Sequence, residues 1–162
     1  MLKIKSVLDK VLQWFCRVIV TIMTILVTYQ VISRYCFNAP SAISEAMARY
    51  LFVWLTMYGG AYVFGKRQHM NLSFVRDKFP PKIKTMVEMF GEFVIGVFAV
   101  IVMIIGGYVQ TTTQMIQADP STQIPMGYIY SAVPIGGILI VFYAICNEIV
   151  LSKQLKSYKE AK

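Results

Sequence analysis

Eight carboxylates, one histidine and three cysteines are the groups in this 162-residue chain that offer acid–base, nucleophilic or metal chemistry. The carboxylates are Asp9, Glu45, Asp77, Glu88, Glu92, Asp119, Glu148 and Glu160, and none lies at the centre of an apolar run. A proton- or ion-coupled carrier keeps an ionisable or broken-helix site near the bilayer midplane. The placement therefore argues against a chain that transports anything alone. His69 is the single histidine, so bis-histidine haem ligation within one chain is impossible. Cys16, Cys36 and Cys146 are far apart, lack metal-type spacing and read as small apolar packing residues. A glycine-rich phosphate loop and a serine nucleophile elbow are both missing. These residues predict a protein that is not an enzyme, with no catalytic residue, cofactor or metal.

The elements that must carry these groups are membrane spans. Four uncharged stretches, 18–33, 50–65, 93–118 and 120–147, fill the chain. A helix rises about 1.5 Å per residue and needs roughly 20 mostly apolar residues to cross a hydrocarbon core. The last two runs are long enough as they stand. The first two hold 16 residues each and span only if Arg17 and Arg49 enter the membrane zone, snorkelling or paired. The composition agrees, with 57 % hydrophobic and 15 % charged residues against a soluble average of about 25 % charged. The fold expected is all-α: one polytopic membrane domain over 1–162, with four transmembrane helices near 12–33, 42–65, 83–113 and 129–151.

Of the 16 Lys and Arg, 14 fall in three segments: 1–17, 66–84 and 153–162. By the positive-inside rule both termini and the middle loop are cytoplasmic, which requires an even number of spans. The net charge of +8 is then mostly a topology signal. Nucleic acid is excluded as a partner, because the basic residues flank spans and no nucleic-acid motif accompanies them. The first apolar run is longer than a signal-peptide core and lacks a small-residue cleavage site, so it reads as a retained span.

Along the chain, the first 14 residues alternate Leu, Ile and Val with Lys3, Lys5, Asp9 and Lys10, a basic amphipathic lead-in suited to the inner surface. Gln13, Arg17, Thr21, Thr24 and Thr28 form one polar stripe on span one, expected to meet other helices rather than lipid. Asn38 and Pro40 end that helix, and Ser41 or Ser44 caps the next. In span two, Glu45 and Arg49 share a face with Gly59 or Gly60, whose size permits close helix contact. Residues 67–80 read as a segment lying on the membrane surface, and Pro80-Pro81 starts span three. Gly136-Gly137 favours tight packing of span four. The intramembrane charges gather at two depths. Arg17, Glu88, Glu92 and Glu148 lie on the inner side, where Arg17 is expected to pair with one of the three glutamates. Arg34, Glu45 and Arg49 lie on the outer side.

Arg34-Tyr35 with Phe37-Asn38, then Ser44-Glu45, Arg49-Tyr50, Val53-Trp54, Gly59-Gly60-Ala61 and His69, form a pattern. It resembles the small membrane (DctQ-type) subunit of tripartite ATP-independent periplasmic (TRAP) transporters. The resemblance covers the whole four-span layout. Gln68 and Asn71 flank His69 where members often carry a small residue and an acidic one, and His69 reads as a marker of the inner boundary. The resemblance implies a scaffold subunit in a bacterial inner membrane. It would brace a large polytopic transport subunit driven by sodium, help to dock a periplasmic binding protein, and sit among membrane lipids. The substrate class implied is a carboxylate such as a C4-dicarboxylate or sialic acid. Arg34, Glu45, Arg49 and Trp54 become candidates for the interface with partners.

Two other readings fit four short spans. A self-sufficient exporter working as a homo-oligomer wants an embedded carboxylate in span one, and 18–33 has none. A membrane anchor of a redox complex would depend on another chain for its second haem ligand.

Overall fold

The computed structural model describes residues 2–66 and 81–160. The surface segment expected at 67–80, with His69, lies outside the described residues. Helix α1 (Leu2–Cys36) is followed by α2 (Ala42–Gly65) and α3 (Pro81–Phe98). From α3 the chain runs straight into a π-helical segment (Ala99–Gly106) and α4 (Gly107–Gln114). A loop leads to the single turn α5 (Gly127–Tyr130) and the long α6 (Ala132–Glu160). Among the described residues there is no strand, only an isolated bridge between Ala118 and Pro125.

The ends of these helices follow local chemistry. Asn38 takes a left-handed φ of 52°, the Ala39 N–H returns to the Ser33 carbonyl at 3.1 Å, and α1 stops. Ser41 caps α2, its hydroxyl accepting the Ser44 N–H at 3.4 Å. Pro81 opens α3, where its missing N–H forfeits nothing. Pro134 sits in the first turn of α6, where it is equally tolerated.

Among the described residues, three stretches are long and apolar enough to cross a membrane: Ile4–Cys36, Ile83–Gln114 and Gly127–Lys156. By length and composition the middle stretch overlaps the expected 83–113, and the first and last run beyond 12–33 and 129–151. Helix α2 has the length, with 24 residues, but Glu45, Arg49, three tyrosines and two adjacent glycines dilute its apolarity. The lead-in expected on the inner surface is instead the first turns of one unbroken α1.

The long helices form a row rather than a closed bundle. Helix α1 packs on α2, α2 on α6, and α6 on α3 and the π-helical segment, while α1 reaches α6 only slightly. Helix α6 is therefore the central helix. The core lies where α1, α2 and α6 meet: Leu12, Tyr58, Phe64, Tyr143 and Ala144 are buried, ringed by Phe15, Trp54 and Ile140. Phe15 meets Tyr58 edge-on at 5.3 Å between ring centres. Glycine permits the closest approaches. A Cβ on Gly65 would stand 2.5 Å from the Tyr143 ring, and one on Gly137 would stand 2.8 Å from Met103 Cβ. A Cβ on Gly59 or Gly60 would meet no atom of the described residues within 4 Å, so the close helix contact expected of them is not made with the other described helices of this chain. Packing the π-helical segment against Gly136 and Gly137 places its wider turn opposite the narrowest part of α6.

Candidate functional site

Two polar clusters form, one at each end of the row. At the end holding the chain termini, α1 and α6 each present a pair of residues four apart. Lys5 Nζ donates to Asn147 Oδ1 at 2.8 Å, and the Tyr143 hydroxyl donates to Asp9 Oδ1 at 2.6 Å. Asn147 passes the chain on, its Nδ2 donating to Glu92 Oε1 on α3 at 3.1 Å. Lys5 also lies 5.7 Å from the centre of the Tyr143 ring. Asn147 is 1 % and Glu92 5 % exposed, so these bonds sit where an unmet polar group is most destabilising. The cluster ties three helices across the row.

At the opposite end, loop 115–126 is held by a local ladder. The Asp119 N–H meets the Ile124 carbonyl at 3.0 Å, and the Met126 N–H meets the Gln117 carbonyl at 2.8 Å. Gln123 turns the chain at a φ of 58°. Asp119 Oδ1 accepts the N–H groups of Ser121 at 2.7 Å and Thr122 at 3.1 Å. Tyr50 of α2 reaches over, its hydroxyl 3.2 Å from Thr122 Oγ1. The Tyr50 hydroxyl, then the two backbone N–H groups and the Arg49 charge, hold the Asp119 carboxyl below its ordinary range against the opposing effect of burial.

The residues singled out from sequence fall as follows. Glu92 enters the first cluster, but Arg17 stands exposed on α1, 12 residues beyond Lys5 and so roughly 18 Å further along the helix. Lys5 and Asp9, rather than Arg17, tie α1 to the other helices. Glu88 and Glu148 are half-buried. Arg34 is exposed with its guanidinium 5.8 Å from the Tyr35 ring centre, and Glu45 is exposed in the first turn of α2. Arg49 is exposed near Asp119. Trp54 is half-buried and packs inside the chain, 5.4 Å from Tyr58. Sequence reasoning missed Tyr143, Asn147 and Tyr50. The signal for the first two was there: Lys5/Asp9 and Tyr143/Asn147 share an i, i+4 spacing that lets two helices match.

The polar stripe of α1 does not face its own neighbours. Thr21, Thr24 and Thr28 are exposed, and each hydroxyl donates to a carbonyl four residues back, at 2.8–2.9 Å. Between α3 and α6 runs a groove of about 540 Å³, walled by Phe93, Val97, Val141 and Ile145 with Glu92 and Glu148 also in its lining. Among the described residues no group of three His, Cys, Asp or Glu can hold a metal ion. Taken together, the polar groups join helices and order a loop.

Comparison with known proteins agrees with this character. The family model described as "Tripartite ATP-independent periplasmic transporters, DctQ component" matches residues 23–153. A Haemophilus influenzae protein carrying the name of a TRAP transporter small permease protein is 30 % identical over 133 residues, 82 % of each chain. The sialic acid TRAP transporter small permease protein SiaQ of Vibrio cholerae is 28 % identical over 117 residues, covering 71 % of this chain and 66 % of that one. The sialic acid TRAP transporter permease protein SiaT of Haemophilus influenzae is 29 % identical over 133 residues. The match takes in 82 % of this chain but only 21 % of SiaT.

Proposed function

The chain belongs to the DctQ component family of TRAP transporters, and from that premise we propose that it is the scaffold subunit of a sodium-driven secondary transporter for organic acids. It braces a large transport subunit in the bacterial inner membrane and helps to dock a periplasmic binding protein. Four spans, both termini in the cytoplasm and a carboxylate substrate complete the reading. Sialic acid is the first candidate, because two relatives are named for it.

The observation that carries this reading is the open row of helices. A transporter working alone must enclose a path between its own helices. Here α1 and α3 lie at opposite edges, and the two polar clusters tie helices and order a loop. A row with two broad uncovered faces suits a brace laid against a larger body. Loop 115–126, ordered by Asp119 and Tyr50 at the end away from the termini, gives a rigid rim for a periplasmic partner. The SiaT match adds support: a segment like this one makes up about a fifth of a longer permease chain.

The test is uptake in a strain lacking this chain. Sodium-dependent uptake of labelled sialic acid or a C4-dicarboxylate should vanish and return with the gene. Undiminished uptake of both by the deleted strain, with the large subunit still present, would overturn the proposal.

A further inference from the structure

Helix α1 is the edge of the row, and its two faces differ in kind. Lys5, Asp9, Leu12, Phe15, Ile19, Leu26 and Ser33 form the buried or half-buried seam that packs on α2 and α6. At about 100° per residue, Arg17, Thr21, Thr24 and Thr28 lie roughly 150° around the helix from that seam. They therefore point away from the rest of the chain. Val20 and Val31 flank the stripe on one side, and Ile25 and Ile32 on the other, all exposed. The threonine hydroxyls are satisfied by their own backbone, so the stripe is a shallow channel of short side chains between longer aliphatic ones. Channels of this kind let a second helix approach closely in a membrane.

Arg17 gives the channel its direction. It is exposed, about 12 Å beyond Asp9 along the helix, with no ion pair among the described residues. Where a charge at the inner edge of a span enters the membrane zone, it faces protein or a water-filled cavity rather than lipid. The outer face of α3 is the contrast. Phe90, Val94 and Phe98, which lie outside the groove shared with α6, are exposed there at i, i+4 and i+8 with no polar side chain among them, which is the surface lipid prefers. The SiaT match supplies the occupant's class, since the matching segment shares one chain with a permease portion several times its length.

We propose that the outward face of α1, from Arg17 to Thr28, seats a transmembrane helix of the large permease subunit. A carboxylate or backbone carbonyl of that helix accepts from the Arg17 guanidinium. This rests on the scaffold reading above and specifies which face of the scaffold is covered.

The experiment places a photo-cross-linking benzoylphenylalanine at Thr24 or Thr28, and for comparison at Phe90 or Val94. Each variant is co-expressed with the large permease subunit and irradiated in membranes. Cross-links to the large subunit are expected from Thr24 and Thr28, at least tenfold above those from Phe90 and Val94. Arg17→Leu is expected to lower the large subunit recovered with the chain about tenfold, with helicity and detergent monodispersity unchanged, and Arg17→Lys to restore part of it. Cross-links from Phe90 and Val94 alone, none from any position, or a cross-link between two copies of this chain at Thr24 each overturn the assigned face. In those cases the scaffold reading survives if the unmodified chain still recovers its partner. Failure of the unmodified chain to recover the large subunit overturns both.

Discussion

Replacing Asn147 with leucine tests the helix tie most sharply. The side chain is 1 % exposed, accepts from Lys5 Nζ at 2.8 Å and donates to Glu92 Oε1 at 3.1 Å. Hydrogen bonds to charged groups contribute roughly 1.5–3 kcal/mol each. The two bonds are unequal. Lys5 is half-exposed, and water recovers most of what its ammonium loses; Glu92 is 5 % exposed, and water does not reach it as readily. Leucine keeps the branched outline of asparagine but is larger, so no cavity opens and any overpacking adds to the loss. The net loss is therefore about 2–3 kcal/mol, dominated by the Glu92 bond. Thermal unfolding of the purified chain in mild detergent reads it, with Lys5→Ala and the double variant completing a cycle. A coupling of about 1 kcal/mol between positions 5 and 147 is expected for residues in one network. A loss below about 0.5 kcal/mol, or effects that simply add, would refute the claim that this chain of bonds holds α1, α3 and α6 together.

Two further predictions follow from particular contacts. Gly65→Ala places a Cβ 2.5 Å from the Tyr143 ring, which is fully buried and tethered to Asp9, so about 1–3 kcal/mol of stability should be lost; Gly59→Ala, with open space around it, should be neutral or gain up to about 1 kcal/mol from helix propensity. Equal effects from the two alanines in the same unfolding assay would contradict the packing described. Tyr50→Phe should reduce acid sensitivity. The Asp119 carboxyl is held below 3.8 in the folded chain, so its contribution is present above that value and is lost as pH falls through the folded pKa. Removing the hydroxyl moves the folded pKa back toward 3.8 and flattens the loss of stability in that acid window. An unchanged acid slope for Tyr50→Phe would show that the tyrosine does not act on Asp119.

Much of the architecture was legible because lipid imposes simple rules. Apolar length and flanking lysines placed α3 and α6, Pro80-Pro81 marked the start of α3, and Ser41, one of two capping candidates, the start of α2. The π-helical segment was not legible, because Ala99–Gly106 is an aliphatic run with nothing to mark a wider turn before Gly106. Gly59 and Gly60 looked like packing glycines, yet Gly65 and Gly137 do that work, and only the neighbouring helix decides which. Lys5 and Asp9 looked like a surface pair because amphipathic spacing suits a membrane surface and a helix contact equally. The α1 stripe shows the same limit: a sequence reveals that one face is polar, not what covers it.

This chain, as a brace for a larger permease, should leave the native membrane together with that permease. The most direct measurement is to purify it from its native membrane in mild detergent and determine the composition and mass of what comes with it. One copy of this chain with one large polytopic permease subunit, active in sodium-driven organic-acid uptake once a binding protein is added, is the result predicted. A stable assembly of this chain alone would contradict it.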